Sequence, residues 1–333
     1  MMTLPVAPGP ASRPSGGGRI KRVLHAQPSR ADRIFDRMTL ASGIIVLAIL
    51  TIVGIFLLYQ SRHAWSQMGW SFFTTTGWQT AGNSPDFGVL GLLFGTVVVA
   101  LIAELIAMPL GIGVGLFIAE FAPIPIRKTL QAMVDLLAAV PSILFGLWGF
   151  LFLQGQIVPL SRWMTTHLGW FPLFATDKDA QLTNSFFIAG IVVSLMVIPI
   201  VASISRAVFA QTPPGEKEGA LGLGATRWGM IRTVVLPYGR GGMIGGSMLG
   251  LGRALGETIA VAMLLPQVPW ISSHWLQNGG GTIAGFIASR AGNSVTVPGL
   301  MAAGLVLFIL TLGTNFIASV IVSRSRSGAG VDL

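Results

Sequence analysis

The chain has 333 residues, of which 52% are apolar and only 10% charged, against roughly 25% charged in an ordinary globular domain. So few charges cannot clothe a water-facing surface, which excludes a pair of soluble domains and indicates an integral membrane protein. Cysteine is absent, so disulfides, thiolate metal sites and cysteine nucleophiles are excluded as well. The net charge of +9 comes from Lys and Arg clustered between apolar runs, not gathered on a face fit for nucleic acid.

Residues 1–37 scatter Arg13, Arg19, Lys21, Arg22, Arg30, Arg33 and Arg37 among Pro, Gly and Ser. They read as a disordered basic tail with no signal-peptide core. A bilayer core of ~30 Å takes ~20 residues of helix to cross, and six segments qualify: 38–59, 88–119, 130–153, 186–205, 234–265 and 299–322. The second and fifth are too long for a straight perpendicular crossing, so they are expected to tilt, protrude, or bend at Pro109 and in the glycine-rich stretch 239–246. Residues 323–333 form a short second tail.

Orientation follows from the Lys and Arg count, since cytoplasmic flanks retain the excess. With the N-terminus inside, the inner segments carry 15 and the outer loops four, Arg62, Arg162, Lys178 and Arg290. Both termini are therefore expected in the cytoplasm. The longest inner segment, about 206–233, is only a helical hairpin's worth of chain, so no conventional catalytic domain fits between spans.

Catalytic signatures are missing. None of the four lysines follows a glycine, which excludes a Walker phosphate loop. The four histidines, His25, His63, His167 and His274, are scattered through tail and loops. Gly245-Gly246-Ser247-Met248-Leu249 fails the nucleophile elbow at its last position. Gly250-Leu251-Gly252-Arg253-Ala254-Leu255-Gly256 has one residue too many for a dinucleotide loop and suits close helix packing.

Ionisable residues inside the spans are more informative, because each costs at least ~2.5–3.5 kcal/mol at the bilayer centre and must face a partner or a water-filled path. Asp135 and Arg240 lie near cytoplasmic span ends, where snorkelling or dipole pairing accounts for them. Arg253 and Glu257, four residues apart in the fifth span, share a helix face and are expected to pair. Glu104, in the second span, falls at a similar depth and is a candidate second partner for Arg253. Two readings stand. The three charges form a neutralised lock between helices, or Arg253 is the cationic element of an anion path, suited to oxyanions by its planar fork of donors. Thr258, Ser247 and Ser142 are available as neutral hydroxyls on that path.

Residues 218–228, Glu-Gly-Ala-Leu-Gly-Leu-Gly-Ala-Thr-Arg-Trp, precede the fifth span. Three glycines weaken a helix by up to ~1 kcal/mol each, so an outside contact must stabilise the segment. A partner protein fits: small residues let a short helix lie deep in a groove, Leu221, Leu223 and Trp228 supply anchors, and Gly224 permits a left-handed turn ending the first helix.

These residues resemble a known family. Glu218-Gly219-Ala220, then Gly224 with Ala225, and Leu236-Pro237 further on resemble the EAA loop of bacterial ABC importer permeases, with Gly219 where alanine is usual. The stretches Phe87-Gly88, Glu120-Phe121-Ala122-Pro123, Asp135 to Ser142, Gly146-Leu147-Trp148-Gly149 and Gly252 to Thr258 are similar to the PstC-type permease of the phosphate importer. The resemblance covers the chain from about residue 70 onward.

It implies an all-α, type I importer permease in a bacterial plasma membrane, forming half of a pore with a PstA-like permease. Two PstB-like ATPases holding ATP and Mg would dock on residues 218–228, Leu236 and Pro237, and a PstS-like protein would deliver phosphate. No cofactor is implied in this chain. The alternatives are a permease for another oxyanion, such as molybdate or sulfate, or a secondary transporter working without an ATPase. Glu104 is outside the family pattern.

Overall fold

The computed structural model describes residues 30–79, 86–177, 179–292 and 297–325. Most of the basic N-terminal tail and of the last ten residues lies outside them. Within the tail, the helix α1 already begins at Arg30 and runs to Met68, so the first span's helix starts eight residues before the 38 expected. The run Arg30-Ala-Asp-Arg-Ile-Phe-Asp-Arg holds no Gly or Pro and simply extends the helix. Residues up to Ile52 form one compact unit and those from Val53 onward a second.

After a short helix α2 (Ser71–Thr74) and a two-stranded hairpin, β1 (Trp78–Gln79) antiparallel to β2 (Asp86–Phe87), the second span follows. It is α3 (Leu90–Leu116), continued by a π-helical turn at Phe117–Phe121. Pro109 lies inside α3 without ending it.

The third span departs from its expected bounds of 130–153. Proline at 141 offers no N–H and disfavours helical geometry in the residue before it. The segment accordingly splits into α4 (Ile124–Ala138), with no buried residue, and a second helical stretch starting at Ser142. That stretch is α5 (Ser142–Trp148), a π-helical turn at Gly149–Leu153 and α6 (Gln154–Leu168). Together they form one apolar run of 27 residues, long enough to cross a membrane.

The fourth span is α7 (Phe186–Phe209), its start capped by the Ser185 hydroxyl accepting from the Ile188 N–H. The hairpin α8 (Pro214–Gly222) and α9 (Arg227–Met230) leads through a third π-helical turn, Ile231–Val235, into α10 (Leu236–Leu255). The fifth span is therefore broken: α10 stops at Leu255 and α11 (Ile259–Leu264) follows, so the continuous helix expected over 234–265 does not form. α12 (Ile283–Arg290) and the last span, α13 (Val297–Ser325), complete the chain. Among the described residues, five helices are long and apolar enough to cross a membrane, and α10 is not one of them.

Glycines set the packing of the central helices. α3 and α7 run in the same direction in close contact, with Gly190 against Ile102, Gly111 against Val201 and Gly115 against Ala202 and Ser205. α10 lies antiparallel to α7, with Gly239 on Phe209, Gly246 on Ile204 and Gly250 on Val197. Small residues at these points let the backbones approach closely, the main source of helix affinity where lipid replaces water. The core is built from α3, α7, α11 and the end of α10, including Ile102, Val193, Val197, Leu255 and Leu264. A second cluster joins the β-hairpin to α12 and α13 through Trp78, Phe87, Phe286 and Leu300.

Candidate functional site

The break between α10 and α11 positions the three polar residues of the Gly252–Thr258 stretch, Arg253, Glu257 and Thr258. Gly256 and Glu257 donate to Arg253 and Ala254 carbonyls at 3.2 and 3.3 Å, which tightens the last turn into three-residue spacing. Glu257 then turns inward. It is 8% exposed, and its Oε1 accepts from the Ala260 N–H at 3.3 Å, capping α11. The Thr258 hydroxyl donates to the Gly256 carbonyl at 3.0 Å.

Arg253 stays on the outer face of α10, exposed, with no ion pair or side-chain hydrogen bond among the described residues. The expected Arg253–Glu257 pair is thus not formed, because the helix ends between them and the four-residue register that would align them is lost. Arg253 is left without a charged partner among the described residues.

Glu104 also departs from expectation. Its carboxylate lies against Gly250, one turn before Arg253, where a methyl group on the glycine would meet Glu104 Oε2 at 3.4 Å. The depth matches, but Gly250 faces Val197 and Val201 in the α3–α7–α10 seam, whereas Arg253 faces out. Both carboxylate oxygens and the neighbouring Ser247 hydroxyl are buried without a hydrogen bond in good geometry. The predicted triad of Glu104, Arg253 and Glu257 does not assemble.

Ser142 begins α5, which runs alongside α11 with Gly146 against Ala260 and Gly149 against Leu264. This register brings the Ser142 end of α5 toward the Glu257–Thr258 end of α11. The break, Arg253, Thr258 and Ser142 therefore occupy one region of the fold.

The second candidate region is the hairpin of α8 and α9. α8 has no buried residue, and Glu218 and Gly219 are exposed while Ala220 packs partly on the cluster around Phe209 and Met230. Leu223 is 92% and Trp228 60% exposed. Gly224 has φ +87°, the left-handed turn expected of it, with N–H bonds from Gly224 to Leu221 and from Ala225 to Ala220 closing the helix end. The Thr226 hydroxyl caps α9 by accepting from the Gly229 N–H at 3.1 Å. Behind this surface, Phe209, Met230, Ile231 and Val235 form a buried cluster that Leu236 also joins, while Pro237 starts α10 at the surface.

Residues 111–327 match the model of the family described as binding-protein-dependent transport system inner membrane component. The chain belongs to that family. It is 40% identical over 304 residues to the phosphate transport system permease protein PstC 2 of Mycobacterium tuberculosis, covering 90% of this chain and 94% of that one. It is 37% identical over 327 residues to the PstC permease of Xylella fastidiosa, covering 97% and 98%. Among solved structures, the permease of a bacterial alginate importer superposes with a TM-score of 0.58 at 18% identity, covering 88% of this chain and 96% of that one. The MetNI methionine transporter gives 0.51 at 17%, covering 71% and 95%. The fold is that of ABC importer permeases.

Three polar features of this permease escaped the sequence reading. Lys217 on α8 pairs with Glu120 in the π-helical turn after α3 at 2.5 Å. Arg206 at the end of α7 pairs with Asp135 of α4 at 3.7 Å, and Ser203 donates to the same oxygen. Asn315, in the middle of α13, has an exposed carboxamide without a partner among the described residues. The two ion pairs join residues 97 and 71 positions apart, beyond any helical spacing rule. An asparagine inside an apolar 29-residue helix was a readable signal.

Proposed function

We propose that this chain is the membrane subunit of an ATP-driven importer of inorganic phosphate, supplying half of the conduit and coupling it to separate ATPase subunits. The observation that carries the reading is Arg253, an unpaired guanidinium on the exposed face of a broken, glycine-rich span. An isolated cation at that depth is expensive in lipid and is expected to face water or an anion. Its rigid fork binds a tetrahedral oxyanion through two parallel hydrogen bonds.

In this reading α10 is the fifth of six spans and both termini are cytoplasmic, in line with the Lys and Arg excess on that side. Glu257 fixes the start of α11, and Thr258 and Ser142 lend weak neutral donors beside the guanidinium. With no carboxylate paired to Arg253 among the described residues, its full charge is left to the anion. Glu104 is left out of the path, since it sits in the buried seam.

The hairpin 218–228 is the coupling element. Leu221, Leu223 and Trp228 are exposed apolar anchors on a hairpin interleaved with small residues, suited to a groove in a partner. That partner is an ATPase dimer holding ATP and Mg. A sister permease completes the pore, and an outer binding protein delivers phosphate.

The test is labelled-phosphate uptake by bacteria lacking their own importer, with the chain co-expressed with its permease, ATPase and binding-protein partners. Arg253→Gln is expected to abolish uptake while the complex still co-purifies. Normal uptake by that variant refutes the role of Arg253. Stronger competition by molybdate or sulfate than by unlabelled phosphate reassigns the cargo, and uptake by the chain alone removes the ATPase from the account.

A further inference from the structure

Next to Arg253 stands a polar group with no assigned task. A methyl group on Gly252 would lie 3.2 Å from Asn315 Oδ1 of α13, so the carboxamide sits beside the residue that precedes Arg253. Between α10 and α13 lies a groove of about 410 Å³, bordered by Gly245, Leu249, Asn315, Ser319 and Ser323, with room for on the order of ten waters. Leu249 and Arg253 are one helical turn apart on the same face of α10. Arg253 is therefore the next residue along α10 on the face that Leu249 gives to the groove, and the residue before it, Gly252, touches Asn315.

Asn315 behaves unlike its neighbours. Thr311 and Thr314 on the same helix turn their hydroxyls onto their own backbone at 3.0 and 2.9 Å. Asn315 is exposed and bonds to nothing among the described residues. Lipid would leave an amide donor and acceptor unsatisfied at a cost of several kcal/mol, so the groove it faces is wet or occupied.

We infer that Asn315 is an anion-contacting residue of the conduit, which shares with Arg253 an oxyanion that still carries a proton. The inference rests on the phosphate reading above. Arg253 supplies charge but only donors, whereas a carboxamide supplies both an NH2 donor and a carbonyl acceptor. The acceptor suits the P–OH of a hydrogen phosphate and has no counterpart on a fully deprotonated oxyanion. Asn315 thereby adds proton recognition that a guanidinium cannot provide.

The test uses the complete complex of this chain, its sister permease, ATPase and binding protein in liposomes, with labelled phosphate as the probe. Asn315→Leu, close in volume, is expected to lower the maximal uptake rate roughly ten- to a hundredfold, the worth of a hydrogen bond to a charged group, with assembly and basal ATP hydrolysis retained. Asn315→Ser restores a donor and acceptor and is expected to transport faster than the leucine variant. Wild-type uptake by Asn315→Leu overturns the inference, as does equal loss in both variants. Disassembly of both complexes also overturns it, by assigning Asn315 to packing against the sister subunit. Failure of the wild-type complex to take up phosphate strikes the functional reading instead, before either variant is compared.

Discussion

Lys217 and Glu120 form the polar tie between the α8–α9 hairpin and the end of the second span, and breaking it tests how the hairpin is held. α8 buries no residue, so apolar packing alone holds it weakly. The pair lies at 2.5 Å with side chains 21% and 10% exposed, which places it between the surface and buried regimes. Opposite charges about 4 Å apart attract by about 4 kcal/mol at an effective dielectric of 20. Desolvation and the entropy of fixing the lysine reduce this. Exposed pairs net about 0–1 kcal/mol, and removing one partner of a buried pair costs about 3–5. Lys217→Met is therefore expected to destabilise the docked hairpin by about 1–3 kcal/mol, a five- to hundredfold rise in its open population.

Chymotryptic nicking at Leu221, Leu223 or Trp228 reports that population, because cleavage of a transiently opened segment follows its opening equilibrium. In inside-out vesicles stripped of ATPase, Lys217→Met and Glu120→Gln should each speed nicking by that factor. The exchanged pair Glu120→Lys with Lys217→Glu should recover much of the protection. Unchanged nicking in both single variants, or no recovery in the exchanged pair, would refute the tie.

Three further substitutions probe the hairpin and the α3–α10 seam. Gly224→Val forces a β-branched residue to φ +87°, a cost of about 1–3 kcal/mol, although no atom stands within 4 Å of the added carbon. Loss of ATPase co-purification is expected, whereas Gly219→Ala, with equally open space, should retain it. Glu104→Leu removes a buried carboxylate that has no hydrogen bond in good geometry and should raise the thermal midpoint in detergent by the equivalent of about 1–3 kcal/mol, with uptake preserved. A loss of uptake would return Glu104 to the transport path, and a lower midpoint would show that its carboxylate is held by Ser247.

The spans with long uninterrupted apolar runs were legible in the sequence. Leu90 and Phe186 begin helices within two residues of the expected starts of 88 and 186, and Val297 within two of 299. Gly224 was legible too, since a left-handed helix end has few alternatives to glycine. The errors came where backbone chemistry outweighed hydropathy. Pro141 divides an apolar stretch that hydropathy reads as continuous, moving the third span to Ser142–Leu168. The Arg253–Glu257 pair failed for a related reason. A spacing of four aligns side chains only within an unbroken helix, and Gly256 ends this one. Glu104 was placed at the right depth on the wrong side, because depth follows from counting residues whereas azimuth depends on how α3 rolls against α7 and α10.

The glycines of α10 also determine how motion reaches Arg253. Seven glycines in twenty residues lower intrinsic helix stability by about 0.8–1 kcal/mol each, so α10 depends on its neighbours to remain helical. Those neighbours are fixed: Gly239, Gly246 and Gly250 rest on Phe209, Ile204 and Val197 of α7. Phe209 belongs also to the cluster of Met230, Ile231 and Val235 beneath the hairpin. A displacement at α8 and α9 therefore pushes on the same side chain that seats the start of α10. A close-packed seam has little slack to absorb it, so α10 is carried with α7 as one body, and the exposed Arg253, one turn beyond Gly250, is carried with it.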